Sequence, residues 1–260
     1  MTDLRFDVPV VAHRFYGTRY IERLSRIAPR VPNINGIGPS HTVPYRGTGP
    51  VLYPAINRDH GTTTSVEAIR AIFTEDLDVA GSDGLSVNSY WEPMGIRFVL
   101  LGIVDEAIDN HLADFIPNDA RYFKGLFEPI MRKGRVAREA IHMMFVRNLE
   151  GRTGNANSAS KYKSAHVLLE DFWSIPGETP EQRWSRWMGT VVHEFGHALN
   201  LSHTGDRENV MWFYQTSHRQ QIKATQMRIA QEEASSYSLP PETPDIAPYL
   251  GVDEGLRIRL

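Results

Sequence analysis

Apolar positions along the chain fall into two spacings, one suited to strands and one to helices. Asp7 to Tyr16 reads as a first strand, with Val8, Val10, Val11 and Phe15 as its apolar members. Residues 28–63 are rich in Pro, Gly, Asn and Thr and read as a long irregular loop. Thr64-Ser-Val-Glu67 has the form of a capping box, and Val66, Ile69, Ile72, Phe73 and Leu77 follow at helical spacing, which predicts a helix over 65–77. Gly95 to Ile103 is apolar and partly β-branched, as a buried strand would be. Residues 105–132 read as one or two helices, divided near Pro117-Asn-Asp119. Ile141 to Val146 and Ala165 to Phe172 read as strands, separated by a Gly/Asn/Ser-rich loop over 151–160.

The strongest pattern begins at Thr179-Pro-Glu-Gln182, a capping box with Pro at the first helical position. Trp184, Trp187, Met188, Val191, Val192, Phe195, Ala198 and Leu199 then recur at i, i+3, i+4, i+7, giving an amphipathic helix of about 20 residues. Asn200, a residue that tolerates the left-handed conformation, is its expected stop. A last helix is expected from Ser217-His-Arg-Gln220 to about Ser235, with an extended Pro-rich tail from Pro240.

Composition narrows the function without choosing it. The 260 residues are 41% hydrophobic and 23% charged, which fits a folded globule and rules out wholesale disorder. Twenty-eight basic against thirty-one acidic residues give −3, which argues against a partner held by bulk charge, nucleic acid above all. The longest unbroken apolar run, Phe98 to Val104, is far short of the ~20 residues needed to insert in a membrane. The first residues hold no basic region followed by an apolar stretch, so no secretory signal is expected there. The absence of cysteine excludes disulfides, thiolate ligands and a Cys nucleophile.

The chemistry lies in one stretch. His193-Glu194-Phe-Gly-His197 sits on the amphipathic helix, off its apolar stripe. Residues four apart project from one helix face about 40° apart, so both imidazoles can reach one zinc ion. Glu194 need not ligate and sits where it can take a proton from the attacking water. A left turn at Asn200 can return His203, six residues after His197, to the same ion. Three His ligands leave the fourth position open, as in a catalytic rather than a structural zinc site. Glu232 and Glu233 on the later helix offer a rival third ligand. His166 is expected as a partly exposed non-ligand near the cleft. His13, His41, His60, His111, His142 and His218 lack ligand spacing among themselves. Asp105, Glu106 and Asp109 form no calcium-loop pattern.

His193 to His203 resembles the extended zinc motif of the metzincin metallopeptidases, His-Glu-x-x-His-x-x-Gly-x-x-His, with Asn200 in place of the usual Gly. Met211, in Asn209-Val-Met-Trp-Phe-Tyr214, falls where that family places a methionine beneath the metal, at the short spacing of the matrixins. Val8-Pro-Val-Val-Ala-His13, the segments Ile69 to Leu77, Gly95 to Leu101, Ile141 to Leu149 and Ala165 to Leu169, and His203-Thr204 loosely resemble the pappalysin group.

The resemblance implies an α/β (α+β) fold: a twisted mixed sheet with a backing helix and an active-site helix, and a smaller C-terminal lobe. It implies one metallopeptidase domain over 1–260, with an upper lobe to about 200 and a lower lobe from 201. It further implies a zinc cofactor on His193, His197 and His203, with Glu194 as general base. Tyr214 would be a catalytic candidate for stabilising the oxyanion, although it stands one residue later than the family's Tyr, where Phe213 is found. The expected partner is a peptide or protein substrate lying along an edge strand, Ala165–Phe172 or its neighbour, and the expected activity is endopeptidase cleavage. The alternatives are a peptide- or partner-binding module without proteolysis, and a zinc amidohydrolase acting on a non-peptide substrate. The 28–63 loop leaves room for a lid or self-inhibiting segment. The missing signal favours the cytoplasm or non-classical export, and the family resemblance favours secretion.

Overall fold

A computed structural model describes residues 5–23, 51–74, 85–117, 126–127, 140–150, 154–157, 165–171, 176–212 and 221–237. Six strands form one mixed sheet: β1 (Phe6–Arg23), β2 (Val51–Gly61), β3 (Ile96–Ala107), β4 (Ile141–Val146), β5 (Gly154–Asn157) and β6 (His166–Glu170). The order is β2-β1-β4-β6-β5, with β3 also paired to β1. β1 is the hub. Its first part runs parallel to β3 and β4, and its second part, from Tyr16, runs antiparallel to β2. β6 lies parallel to β4, and β5 closes the far side antiparallel to β6.

Helices α1 (Val66–Phe73), α2 (Val87–Trp91) and α4 (Pro180–Ala198) pack on one face of this sheet. Val8, Val10 and Ala12 of β1, Met143 and Phe145 of β4 and Val167 and Leu169 of β6 turn to that face. They meet Ile69, Ile72 and Phe73 of α1 and Trp184, Trp187, Met188 and Phe195 of α4. Phe195 sits tilted on Phe98 with ring centroids 4.3 Å apart and edge-on to Phe73 at 6.1 Å. This contact links α4 to both the sheet and α1. The other face carries Phe15, Met144, Val146 and Leu168, covered by Ile108, Ala113, Ile116, Phe127 and Leu149. Every residue of β4 is buried, which explains its unbroken apolar run.

Several expected boundaries move, each for a visible reason. The irregular loop expected over 28–63 contains β2, whose backbone bonds are supplied by the second half of β1; residues 24–50 lie outside those described. The strand expected to end at Ile103 continues to Ala107, since Asp105 and Glu106 find partners in the sheet layer. Asp105 accepts from Arg14 Nε (2.7 Å) and Arg58 (2.6 Å), and Glu106 lies 3.3 Å from His13 Nδ1. Of the helices expected over 105–132, the short α3 (Asn110–Asp114) is found, capped by Asp109. The loop expected over 151–160 holds β5. At α1 the N-cap is Ser65 rather than Thr64. The Thr64 hydroxyl instead joins those of Thr62 and Thr63 around the buried Asp171 carboxylate, pinning the start of α1 to the end of β6. The helix expected from Ser217 begins at Ala224 as α5 (Ala224–Ser235), because Gln221 is engaged in bridging to Asn209. No described helix is long and apolar enough to cross a membrane.

His166 is buried on the face opposite α4, in register with His142, and not partly exposed near a cleft. His142 Nδ1 lies 3.0 Å from His13 Nε2, which continues the polar row from Glu106 across the sheet. Burial pushes the His166 imidazole down to about 4 from its ordinary 6.5. Between those values the folded ring stays neutral while the unfolded one takes a proton. Stability is therefore complete above about pH 6.5 and falls as the pH drops towards 4, by roughly 3 kcal/mol in all. Denaturant titrations from pH 7 to 4 should show a steeper loss for the native chain than for His166→Leu, and parallel curves would show that another group is responsible.

Candidate metal centre

The centre is built by one helix and the turn that ends it. Thr179 caps α4: its hydroxyl accepts from Gln182 N–H (3.2 Å), and the Gln182 side chain accepts from Thr179 N–H (3.0 Å). Both halves of the expected capping box are present. At the other end, Asn200 has φ 64°, the only positive φ outside glycine among the described residues. Asn200 N–H donates to the His197 carbonyl (3.0 Å) and Leu201 N–H to the Gly196 carbonyl (2.9 Å). These are the two bonds of a Schellman motif, and they reverse the chain towards His203.

His193, His197 and His203 converge. The His203 Nε2 atom lies 3.2 Å from Nε2 of His193 and 3.0 Å from Nε2 of His197. His193 Nδ1 lies 2.7 Å from the Val210 carbonyl and His197 Nδ1 lies 2.8 Å from the Leu201 carbonyl. A carbonyl can only accept, so both Nδ1 atoms carry the proton and both Nε2 atoms present a lone pair to the shared point. Ligands about 2.0–2.1 Å from a tetrahedral ion stand about 3.3–3.4 Å apart, close to the spacing found. Among the described residues this is the only cluster whose donor atoms meet within 4.8 Å. The donor set therefore fits one divalent ion held by three neutral imidazoles, with an open fourth position.

Glu194 and His193 are buried, at 6% and 4% exposure, whereas His203 is exposed. The edge strand β5 passes directly over Glu194: a Cβ built on Gly154 would lie 2.7 Å from Glu194 Cγ and 2.8 Å from its Oε1. Beneath the helix, the fully buried Met211 fills the space left by Gly196, where any side chain would strike its sulfur.

The Met211 turn is tied down by residues that sequence reasoning did not single out. Asn209, fully buried, accepts from Met211 N–H (2.9 Å) and donates through Nδ2 to Gln226 Oε1 (2.8 Å). The same Gln226 oxygen accepts from Lys223 N–H at the start of α5 (3.0 Å). Val210, between Asn209 and Met211, supplies the carbonyl that orients His193. An Asn two residues before the suspected turn methionine is the only signal the sequence offers for it.

The rival ligands go elsewhere. Glu233 is engaged by the Tyr237 hydroxyl (3.1 Å), and Glu232 is exposed, 3.8 Å from Arg228. His60 pairs with Asp114 and His13 with His142, while His41 and His218 lie outside the described residues. Phe213 and Tyr214, the latter with its expected catalytic role, also lie outside them. Among the described residues β6 is flanked by β4 and β5, so the edge falls to its neighbour β5, the other candidate.

No protein-family model and no curated protein matches this sequence. Solved structures resemble it at low identity. Metalloproteinase-II from Bacteroides fragilis aligns with TM-score 0.45 and 8% identity over 89% of this chain, which spans 54% of that one. Archaemetzincin from Methanopyrus kandleri aligns with TM-score 0.43 and 11% identity over 88% of this chain and 96% of that one. Mature mirolysin from Tannerella forsythia, in complex with a cleaved peptide, aligns with TM-score 0.46 and 11% identity over 90% and 96%.

Chelator-treated protein titrated with zinc should take up one ion per chain and gain about 2.7 kcal/mol of stability at a hundredfold excess over Kd. Isothermal calorimetry and thermal melts would measure both. His203→Ala should remove the uptake, and an unchanged stoichiometry and affinity in that variant would show that the ion binds elsewhere.

Proposed function

We propose that the protein is a zinc-dependent endopeptidase of the metzincin type, with His193, His197 and His203 as the zinc ligands. The observation that supports this most strongly is the convergence of three Nε2 atoms, two of them oriented by main-chain carbonyls, beside a buried glutamate. Three neutral nitrogens without acidic ligands suit zinc better than the harder calcium or magnesium. A bound zinc ion would supply Lewis acidity, making water a nucleophile near neutral pH and withdrawing charge from a carbonyl.

Glu194 acts as general base. Its carboxylate takes the proton of the attacking water and delivers it to the leaving amine nitrogen. Water and carbonyl chemistry of this kind needs a base that is held still, and the packing of Glu194 under β5 provides that. The substrate is a peptide in extended form, adding its main chain to the free side of β5 at Gly154–Asn157. Met211 is the family's methionine beneath the metal. In this reading one catalytic domain would have an upper lobe holding the sheet and α4 and a lower lobe holding His203, Met211 and α5. The order of the segments is loosely like that of the pappalysin group.

Mass spectrometry of a diverse peptide mixture after incubation with the zinc-loaded protein tests this reading. Internal cuts are expected, removed by chelator and restored by zinc. Glu194→Gln should lower kcat by about 10²- to 10⁴-fold while still binding zinc. Undiminished cutting by that variant would remove Glu194 from the mechanism, and no cutting by either protein would sink the peptidase reading.

A further inference from the structure

We infer that Gly154 is a positioning residue: the missing side chain at this point of the edge strand forms the slot that holds the Glu194 carboxylate. The inference rests on Glu194 being the base. Three Glu194 atoms lie within 3.0 Å of where a Gly154 Cβ would stand: Cγ at 2.7 Å, Oε1 at 2.8 Å and Cδ at 3.0 Å. Real Cβ atoms do not come so near, so any other residue at 154 must move either the strand or the glutamate.

The strand has little freedom to move. Gly154 pairs with Leu169 of β6, and Leu169 is fully buried against the helix-bearing face. Retreat of β5 would open this ladder from its end. The glutamate is the softer partner, because rotation about its side-chain torsions moves the carboxylate without breaking backbone pairing. A methyl group at 154 therefore displaces Oε1 from the position the glycine allows it. His193 and His197 are unaffected, since their orientation comes from the Val210 and Leu201 carbonyls.

The same contact has a second consequence. The strand proposed to receive the substrate and the residue proposed to take the proton touch directly. The distance between a docked peptide and the base is thus set by one backbone contact rather than through the core.

A double-mutant cycle of G154A and E194A tests this with two readouts. In metal-free protein, G154A should lower Tm by about 5 °C when Glu194 is present and by almost nothing in E194A, which lacks all three opposing atoms. An equal loss in both backgrounds would overturn the inference. Should G154A alone fail to fold, E194A should restore folding, and failure of the double variant would also overturn it. In the zinc-loaded enzyme, G154A should lower kcat by about 10- to 100-fold with KM and zinc affinity little changed. Unchanged kcat overturns the inference even where E194A is inactive, and in that case the general-base reading stands. The E194A arm alone reports on the base, and the comparison of G154A with the native chain reports on the glycine.

Discussion

The left-handed turn at Asn200 is the constraint on which the centre depends. A right-handed continuation would carry residues 201–203 further along the helix axis, away from His193 and His197. At φ 64° the chain reverses, and two backbone bonds hold the reversal. The reversal brings the Leu201 carbonyl to His197 Nδ1 and delivers His203 to the open side of the pair. Orientation of one ligand and delivery of another thus come from the same turn at Asn200 and Leu201. Asn carries a modest penalty in this conformation where Gly would carry none, and its side chain is small and polar enough to accept it.

Much of this is legible in the amino-acid sequence. The amphipathic spacing from Trp184 to Leu199 locates α4, Thr179 and Gln182 locate its start, and Asn200 its end, because these signals are local and act through bonds within a few residues. The His triad was legible for the same reason. The strands of low apolar content were not. β2 owes its pairing to β1, distant in sequence, and β5, although it pairs with the next strand β6, reads as loop because it consists of Gly, Asn and Ala. Asp105 and Glu106 read as the beginning of a polar helix, since nothing in their neighbourhood announces Arg14, Arg58 and His13 as cross-strand partners. Thr64 likewise reads as a helix cap until Asp171, more than a hundred residues away, claims its hydroxyl.

The two faces of the sheet do different work. The face under α1 and α4 is an aromatic and aliphatic core that fixes the helix bearing the ligands, chiefly through Phe98, Phe73 and Phe195. The opposite face accommodates a row of ionisable groups, Glu106, His13 and His142, beside His166. Buried polar rows of this kind hold strands in register, because slipping by one residue would separate partners that have no water to replace them.

The position of β1 at the hub also sets an order of assembly. It precedes the other described strands, yet its parallel neighbours begin at Ile96 and Ile141. A nascent chain therefore carries an apolar strand with one flank unpaired until β3 ends at Ala107 and the other until β4 ends at Val146. Contacts of such sequence separation form late and make for slow folding. The antiparallel ribbon with β2 is complete at Gly61, but it covers only Tyr16–Arg23 and leaves the apolar first part of β1 unpaired. For this architecture the rate of translation through the middle of the chain bears directly on how long an aggregation-prone edge is exposed.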